Sequence, residues 1–103
     1  TAIGRVPMGG LLLTAGADVQ RDRIEVEIVA WGSDRQSWSV DYRVLPGDPA
    51  GEEVWEALSA LVAETFPHAG GLDLPIRLLA IDSGFTTQAV YGWVRKQPPG
   101  RVI

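Results

Sequence analysis

Two aspartates, each placed directly after an apolar run, are the residues of this sequence best placed to do chemistry. Asp18 follows the run at residues 11–17, and Asp82 follows the mostly apolar run at residues 75–81. If the two runs form parallel, adjacent strands, both carboxylates emerge at the same edge of one sheet. Carboxylate oxygens are the ligands that Mg²⁺ and Mn²⁺ prefer. The pair therefore predicts a site for hard divalent cations.

The composition excludes several other kinds of site. The 103-residue chain has no cysteine and one histidine, His68, so disulfides, thiolate metal sites and His-rich zinc sites are excluded. Its 46% hydrophobic and 21% charged residues are typical of a globular domain. No apolar run is long enough to span a membrane, and no signal peptide occurs, which predicts a cytoplasmic protein. The net charge of -4 argues against a free-standing nucleic-acid-binding domain.

Three strands are predicted before the first helix. The first, at residues 11–19, has no charge before Asp18, so we expect it to be central and covered on both faces. The second, at residues 24–31, alternates apolar and acidic residues. In the third, at residues 36–45, the same alternation predicts an inward row and an outward row, with Trp38, Val40, Tyr42 and Val44 opposite Ser37, Ser39, Asp41 and Arg43.

The second half of the chain alternates helices and strands. A helix is predicted at residues 50–66, with Asp48 as its N-cap and Pro49 at its first position. A fourth strand follows at residues 76–82. A second helix is predicted at residues 88–96, capped by Thr86 or Thr87, and a fifth strand begins at residues 101–103. Residues 1–9 are expected to be a linker from a preceding domain, and residues 10–103 the N-terminal part of the domain that follows it.

The order β-β-β-α-β-α-β predicts an α/β fold with a ribonuclease-H-like mixed sheet in the order 3-2-1-4-5, truncated at its C-terminus. This order makes strands one and four parallel neighbours. On the face that carries the acids, Gly16 accompanies Asp18 and Ala80 accompanies Asp82, which leaves room for ions. Two divalent ions about 3.5–4 Å apart can activate water and stabilise the leaving oxygen of a phosphodiester. We therefore expect hydrolysis of nucleic acid.

Several short motifs, in this order, resemble the nuclease domain of lambda-like phage terminase large subunits over about residues 7–103. They are Leu13 to Gln20, Trp31-Gly32, Ser37-Trp38, Asp41-Tyr42-Arg43, Gly47-Asp48-Pro49 with Trp55, Ala80 to Gly84, and Thr86 to Tyr91. The resemblance implies an endonuclease that cuts concatemeric viral double-stranded DNA during packaging. It identifies Asp18 and Asp82 as catalytic residues and as ligands of two Mg²⁺ or Mn²⁺ ions.

The resemblance also implies what the longer protein would contain. Residues 10–103 would form the N-terminal part of the ribonuclease-H-like nuclease domain, which an ATPase motor would precede. A third acidic ligand would follow the fifth strand, so the fragment itself is expected to be inactive. The implied partners are viral DNA, the terminase small subunit and the portal, in the cytoplasm of the bacterial host. No Walker-type phosphate loop occurs in this segment.

Alternatives remain for the individual residues and for the function. By pattern alone, Asp18 and Asp82 could each simply be turn residues. Surface positions are expected for Asp41, Glu53, Glu56 and His68, and packing roles for the four tryptophans. The chain could also be a non-catalytic ribonuclease-H-like module for DNA docking or assembly. An actin-like or sugar-kinase-like ATPase fits least, because no Gly-rich phosphate turn follows Asp18.

Overall fold

The computed structural model describes residues 4–82, 87–98 and 100–102, which form one mixed sheet and two helices. The elements, in chain order, are β1 (Leu12–Val19), β2 (Arg23–Trp31), β3 (Ser37–Pro46), α1 (Glu53–Val62), β4 (Thr65–Pro67), β5 (Asp73–Asp82) and α2 (Thr87–Val94). The five strands lie in the order β3-β2-β1-β5-β4. The predicted α/β class is confirmed.

β1 lies at the centre of the sheet. It pairs antiparallel with β2 and parallel with β5, the strand that ends at Asp82. A parallel neighbour requires a crossover connection, and the segment that contains α1 provides it. The predicted adjacency of the two strands that end in aspartate is therefore confirmed.

The far edge of β5 differs from the prediction, because β4 occupies part of it. β4 pairs antiparallel with the first residues of β5, whereas the sequence pattern predicted a helix up to residue 66. Phe66 lies on β4, and its side chain is 2% exposed and packs in the core. Strand four of the prediction is β5 and lies beside β1 as expected, and with the additional strand β4 counted the observed order is 3-2-1-5-4.

Of the predicted fifth strand the structure describes residues 101 and 102, and these form one parallel bridge, from Val102 to Leu79 of β5. The Leu79 N–H donates to the Arg101 carbonyl at 2.8 Å. The Arg101 guanidinium in turn donates from Nη2 to the Val62 carbonyl at 2.7 Å, at the end of α1. Residues 101–102 and β4 thus share one edge of β5.

A bulge in β3 reverses the faces predicted for its second half. The pairing with β2 shifts between Ile28 and Val29, where β3 contains one extra residue. One inserted residue moves every later side chain to the opposite face. Tyr42 and Val44, predicted to point inward, are accordingly 55% and 51% exposed.

The same bulge turns two predicted surface residues toward the helical side. The Arg43 guanidinium pairs with Asp41 at 2.9 Å and with the Glu64 carboxylate, and it lies 5.6 Å from the centre of the Phe66 ring. The Asp41 side chain is only 12% exposed. The prediction that Asp41 is a solvated surface residue is wrong, because alternation counted along the chain cannot reveal a bulge.

The helices begin and end differently from the prediction. Asp48 is not the N-cap of α1; its carboxylate accepts the Ala50 N–H at 2.9 Å in a turn before the helix. Glu52 is the N-cap residue and makes no capping hydrogen bond with its side chain. For α2, Thr86 lies outside the described residues. No helix within the described ranges is long and apolar enough to cross a membrane.

Both helices pack on one face of the sheet. The core contains the inward rows of the strands together with α1 and α2, and Trp55 of α1 lies 5.9 Å from Trp93 of α2 between ring centres. On the other face of β1, Leu12 is 44% exposed and Gly16 is exposed. The expectation that β1 is covered on both faces is therefore wrong for the described elements, which leave this face open.

Residues 4–9, predicted as part of a linker, pack against the sheet. Val6 is 1% exposed, and its N–H donates to the Pro67 carbonyl at 2.8 Å. His68 is half-buried, not a solvated loop residue, because it joins two segments. Its Nδ1 accepts the Gly70 N–H at 2.8 Å, and so its Nε2 donates to the Gly10 carbonyl at 2.9 Å.

Candidate functional site

Asp18 and Asp82 lie side by side at the end of two neighbouring strands. They are direct partners in the parallel register of β1 and β5, and both are exposed. Neighbouring strands are separated by about 4.8 Å, a distance at which two carboxylates on one face can reach a common ion. The two residues lie on the open face of the sheet, opposite the helices. The predicted pairing of the two residues at one end of the sheet is therefore observed in the backbone register.

The surface beside the acid pair is lined mainly by small and apolar side chains. Gly16 and Ala80, which are register partners, immediately precede the acids on this face. They line a cavity of about 370 Å³, together with Trp31, whose indole donates to Thr14 Oγ1 at 2.8 Å. A Cβ added at Gly16 would meet nothing within 4 Å. The site therefore has open space next to its carboxylates.

Asp18 has two polar neighbours that the sequence analysis did not single out. Gln20 Nε2 donates to Asp18 Oδ2 at 2.7 Å. Glu25 of β2 is the register partner of Asp18 on the side away from Asp82. The spacing of two residues between Asp18 and Gln20 was a signal for the first neighbour, because alternate residues of a strand share a face.

A hydrogen-bonded network holds the Glu25 carboxylate. The Tyr42 hydroxyl donates to Glu25 Oε1, and Arg23 Nε donates to Oε2 at 2.7 Å. The hydrogen bond from Tyr42, followed by that from Arg23, lowers the pKa of Glu25. The same contact with Glu25 raises the pKa of Tyr42. Tyr42 reaches this network because the β3 bulge places its side chain on the open face. The alternation of the sequence had predicted that Tyr42 points inward, and so it did not indicate this contact.

The Glu25 network predicts a loss of stability in acid. Since the folded pKa of Glu25 is lower than its ordinary value of 4.5, its contribution is present above that value and is lost as the pH falls through the folded pKa. Tyr42→Phe removes the main cause of the shift. We therefore expect the variant to lose less unfolding free energy than the unchanged chain between about pH 6 and about pH 3, measured by urea denaturation.

Tyr91→Phe is the matched control, because Tyr91 is also an exposed tyrosine, at 54%, but lies on α2. It should keep the acid dependence of the unchanged chain. Equal acid dependence in Tyr42→Phe and in the unchanged chain would contradict the assignment.

The other acidic residues that were considered do not join the pair. Glu53 and Glu56 are exposed on α1, which packs on the opposite face of the sheet. Asp41 is paired with Arg43 on that side. Among the residues that the structure describes, no group of three or more histidine, cysteine, aspartate or glutamate residues could hold a metal ion.

The donor set of Asp18 and Asp82 fits a hard divalent cation. Both side chains offer carboxylate oxygens, and Mg²⁺ is commonly bound through one or two carboxylates while it keeps several waters and contacts substrate phosphates. The open space over Gly16 is compatible with such additional ligands. The pair is therefore suited to Mg²⁺ or Mn²⁺, and unsuited to zinc, for which it lacks imidazole and thiolate.

A larger cleft, of about 480 Å³, lies between α1 and α2 on the other side of the sheet. Its lining includes Trp55 and Trp93, and both indole N–H groups are used inside the protein. Trp55 donates to the Pro49 carbonyl and Trp93 donates to Ser59 Oγ, each at 2.8 Å. The role of these tryptophans is packing, as predicted, and the cleft is separated from the acid pair by the sheet.

Comparisons with known proteins agree with the resemblance in the motifs. The sequence model of the family described as "Terminase large subunit gpA, endonuclease domain" matches residues 1–103. The chain is 30% identical to the "Terminase, large subunit" of Enterobacteria phage P21 and 29% identical to that of Escherichia phage lambda. Each alignment covers 99 residues, which are 95% of this chain and 15% of the relative. No solved structure matches.

Proposed function

Since this chain belongs to the endonuclease-domain family of terminase large subunit gpA, we propose that it contributes Asp18 and Asp82 to a DNA endonuclease that depends on Mg²⁺ or Mn²⁺. The register pairing of these two residues is the observation that carries the proposal. The strand order around the pair also supports a ribonuclease-H-like nuclease. An antiparallel meander of β1 to β3, a crossover and a parallel neighbour surround the acids.

In this proposal, Asp18 and Asp82 hold the divalent ions through their carboxylate oxygens. When bound, two such ions supply an activated water and stabilise the leaving oxygen of an in-line phosphodiester displacement. The carboxylates supply negative charge that attracts the ions, whereas the charge of the neighbouring Glu25 is already paired with Arg23. Gly16 and Ala80 leave space in which a phosphate can approach, since neither carries a side chain beyond Cβ.

The substrate in this proposal is concatemeric viral double-stranded DNA. The chain spans 15% of the length of the two large subunits that it matches, so most DNA contacts would come from the rest of such a subunit. The net charge of -4 is consistent with this division, because a domain that grips DNA alone usually neutralises phosphates with a basic face. The small subunit and the portal are the proposed packaging partners, in the host cytoplasm.

A non-catalytic module for DNA docking or assembly is the second candidate. One observation favours it: within the described residues, no group of three or more acidic residues or histidines is placed so that it could hold a metal ion. A docking module would keep the fold and would have no saturable cation binding that depends on Asp82. Cation binding therefore separates the two candidates.

Asp82→Asn tests the proposed site. We expect the unchanged chain to bind Mn²⁺ saturably and the variant to bind it at least about tenfold more weakly, because one anionic ligand is replaced by a neutral amide. The measurement is a Mn²⁺ titration followed by the electron paramagnetic resonance signal of the free ion. Asp73→Asn is the matched control, since Asp73 is an exposed aspartate at the other end of β5.

The control should bind Mn²⁺ as the unchanged chain does. Equal Mn²⁺ affinity in Asp82→Asn and the unchanged chain would contradict the metal assignment and would favour the docking module.

A further inference from the structure

Gln20 occupies a fixed position immediately after β1. Its backbone N–H donates to the Arg23 carbonyl at 2.8 Å, which closes the turn between β1 and β2. The residue is half-buried, whereas Asp18, two positions earlier, is exposed. Gln20 is therefore held by the hairpin itself, and its side chain extends from an anchored backbone.

The Gln20 side chain engages one oxygen of Asp18. Its Nε2 donates to Asp18 Oδ2 at 2.7 Å, and within the described part of the chain no hydrogen bond reaches Asp18 Oδ1. An exposed aspartate on a strand can otherwise rotate about its side-chain torsions, and fixing it before an ion binds reduces the entropy lost on binding. The hydrogen bond thus restricts Asp18 while one oxygen stays available.

The type of donor is also significant. Lysine or arginine at position 20 could hold the carboxylate too, but its charge would repel a divalent cation beside Asp18. An amide donates without a net charge, so the negative potential of Asp18 and of its register partner Asp82 is preserved. Gln20 can therefore orient Asp18 without weakening the attraction of Asp18 for a cation.

From this geometry we infer that Gln20 is a positioning residue that orients Asp18 for the divalent cation shared with Asp82. The inference rests on the proposed function, because it assumes that Asp18 is a metal ligand. Residues that hydrogen bond to metal ligands commonly change metal affinity about 10- to 100-fold when they are replaced. Gln20 acts through Asp18 and does not itself contact the ion.

The test compares Mn²⁺ affinity with stability in Gln20→Ala. We expect the Mn²⁺ dissociation constant to rise about tenfold while the urea midpoint of unfolding changes little, because the backbone hydrogen bond to Arg23 is kept. Gln20→Lys should bind Mn²⁺ more weakly than Gln20→Ala, owing to the added charge. Gln36→Ala is the matched control, since Gln36 is an exposed glutamine in the turn between β2 and β3.

The outcomes separate this inference from the proposal on which it rests. If Asp18→Asn weakens Mn²⁺ binding but Gln20→Ala stays within about twofold of the unchanged chain, the positioning role is refuted and the metal site stands. If Asp18→Asn leaves Mn²⁺ binding unchanged, or the unchanged chain shows no saturable binding, both are refuted. If Gln20→Ala and Gln36→Ala lose the same Mn²⁺ affinity, the specific role of Gln20 is also refuted.

Discussion

Asp18→Asn is expected to lower DNA cleavage by about 10³-fold in a terminase large subunit that contains this chain. The substitution keeps the shape of the side chain and removes its negative charge, so the proposed divalent ions would lose one anionic ligand. The loss corresponds to about 4 kcal/mol of transition-state stabilisation, within the several kcal/mol that metal ions supply in such reactions. The measurement is the initial rate of cleavage of a DNA duplex at saturating Mg²⁺.

Folding should be nearly unaffected by the same substitution, because Asp18 is exposed and its neighbours in β1 keep their pairing. Thermal unfolding of the variant therefore serves as the check that the loss concerns chemistry. The matched control is Asp34→Asn, at an exposed turn position with a φ of 55°, which asparagine adopts readily. A cleavage rate in Asp18→Asn within about threefold of the unchanged protein would contradict the site assignment.

Trp93→Ala is expected to produce a large loss of stability, about 3–5 kcal/mol. Trp93 is 6% exposed, its ring lies 5.9 Å from that of Trp55 between centres, and its indole N–H donates to Ser59 Oγ at 2.8 Å. These contacts attach α2 to α1, and the alanine variant would leave a cavity between the helices. Since domains of this size have about 5–15 kcal/mol of stability in total, the variant should unfold at much lower urea.

Urea denaturation followed by circular dichroism measures this effect as a lower midpoint at an unchanged slope. Tyr91→Ala is the control on the same helix, since Tyr91 is 54% exposed, and it should change the unfolding free energy by no more than about 0.5 kcal/mol. Comparable losses in the two variants would show that general weakening of α2, and not the contact between the two tryptophans, causes the effect.

The hairpin and the acid pair were predictable because their signals are local. The uncharged run before Asp18 and the alternation of β2 indicate strands directly, since side chains in a strand alternate between two faces. Because residues two apart in a strand share a face, the sequence predicted that Gly16 lies on the same face as Asp18, and Ala80 on the same face as Asp82. The parallel register confirms these pairs, because no bulge lies between these residues and the strand ends.

The bulges were not predictable from the same pattern. One extra residue in β3 moved Tyr42 to the open face and Arg43 to the helical side, and a second irregularity lies in the pairing of β1 with β5, between Leu13 and Thr14. A bulge depends on which pairing between strands gives the best packing on both faces, and a single strand carries little sign of it. Because the bulge could not be predicted, the contact between Tyr42 and Glu25 could not be predicted either.

β4 and the start of α1 were missed because tertiary contacts outweighed local preference. Thr65 and Phe66 continue the apolar spacing of a helix, yet Phe66 contributes more as part of an edge strand that packs beside Arg43. Asp48 followed by proline is a typical helix start, but its carboxylate bonds within a turn instead. Local propensities differ by about 1 kcal/mol or less per residue, so burial of a large side chain readily overrides them.

The linear order of residues was therefore sufficient for the class of fold, the central strand and the adjacency of Asp18 and Asp82, since alternation and the placement of charge are properties of neighbouring residues. Folding in three dimensions decided which face of the sheet the described elements leave open, where the strands bulge, and that Gln20 and Glu25 lie beside Asp18 while Tyr42 contacts Glu25. These features depend on contacts between segments far apart in the chain, whose energies are settled only when all of them pack together.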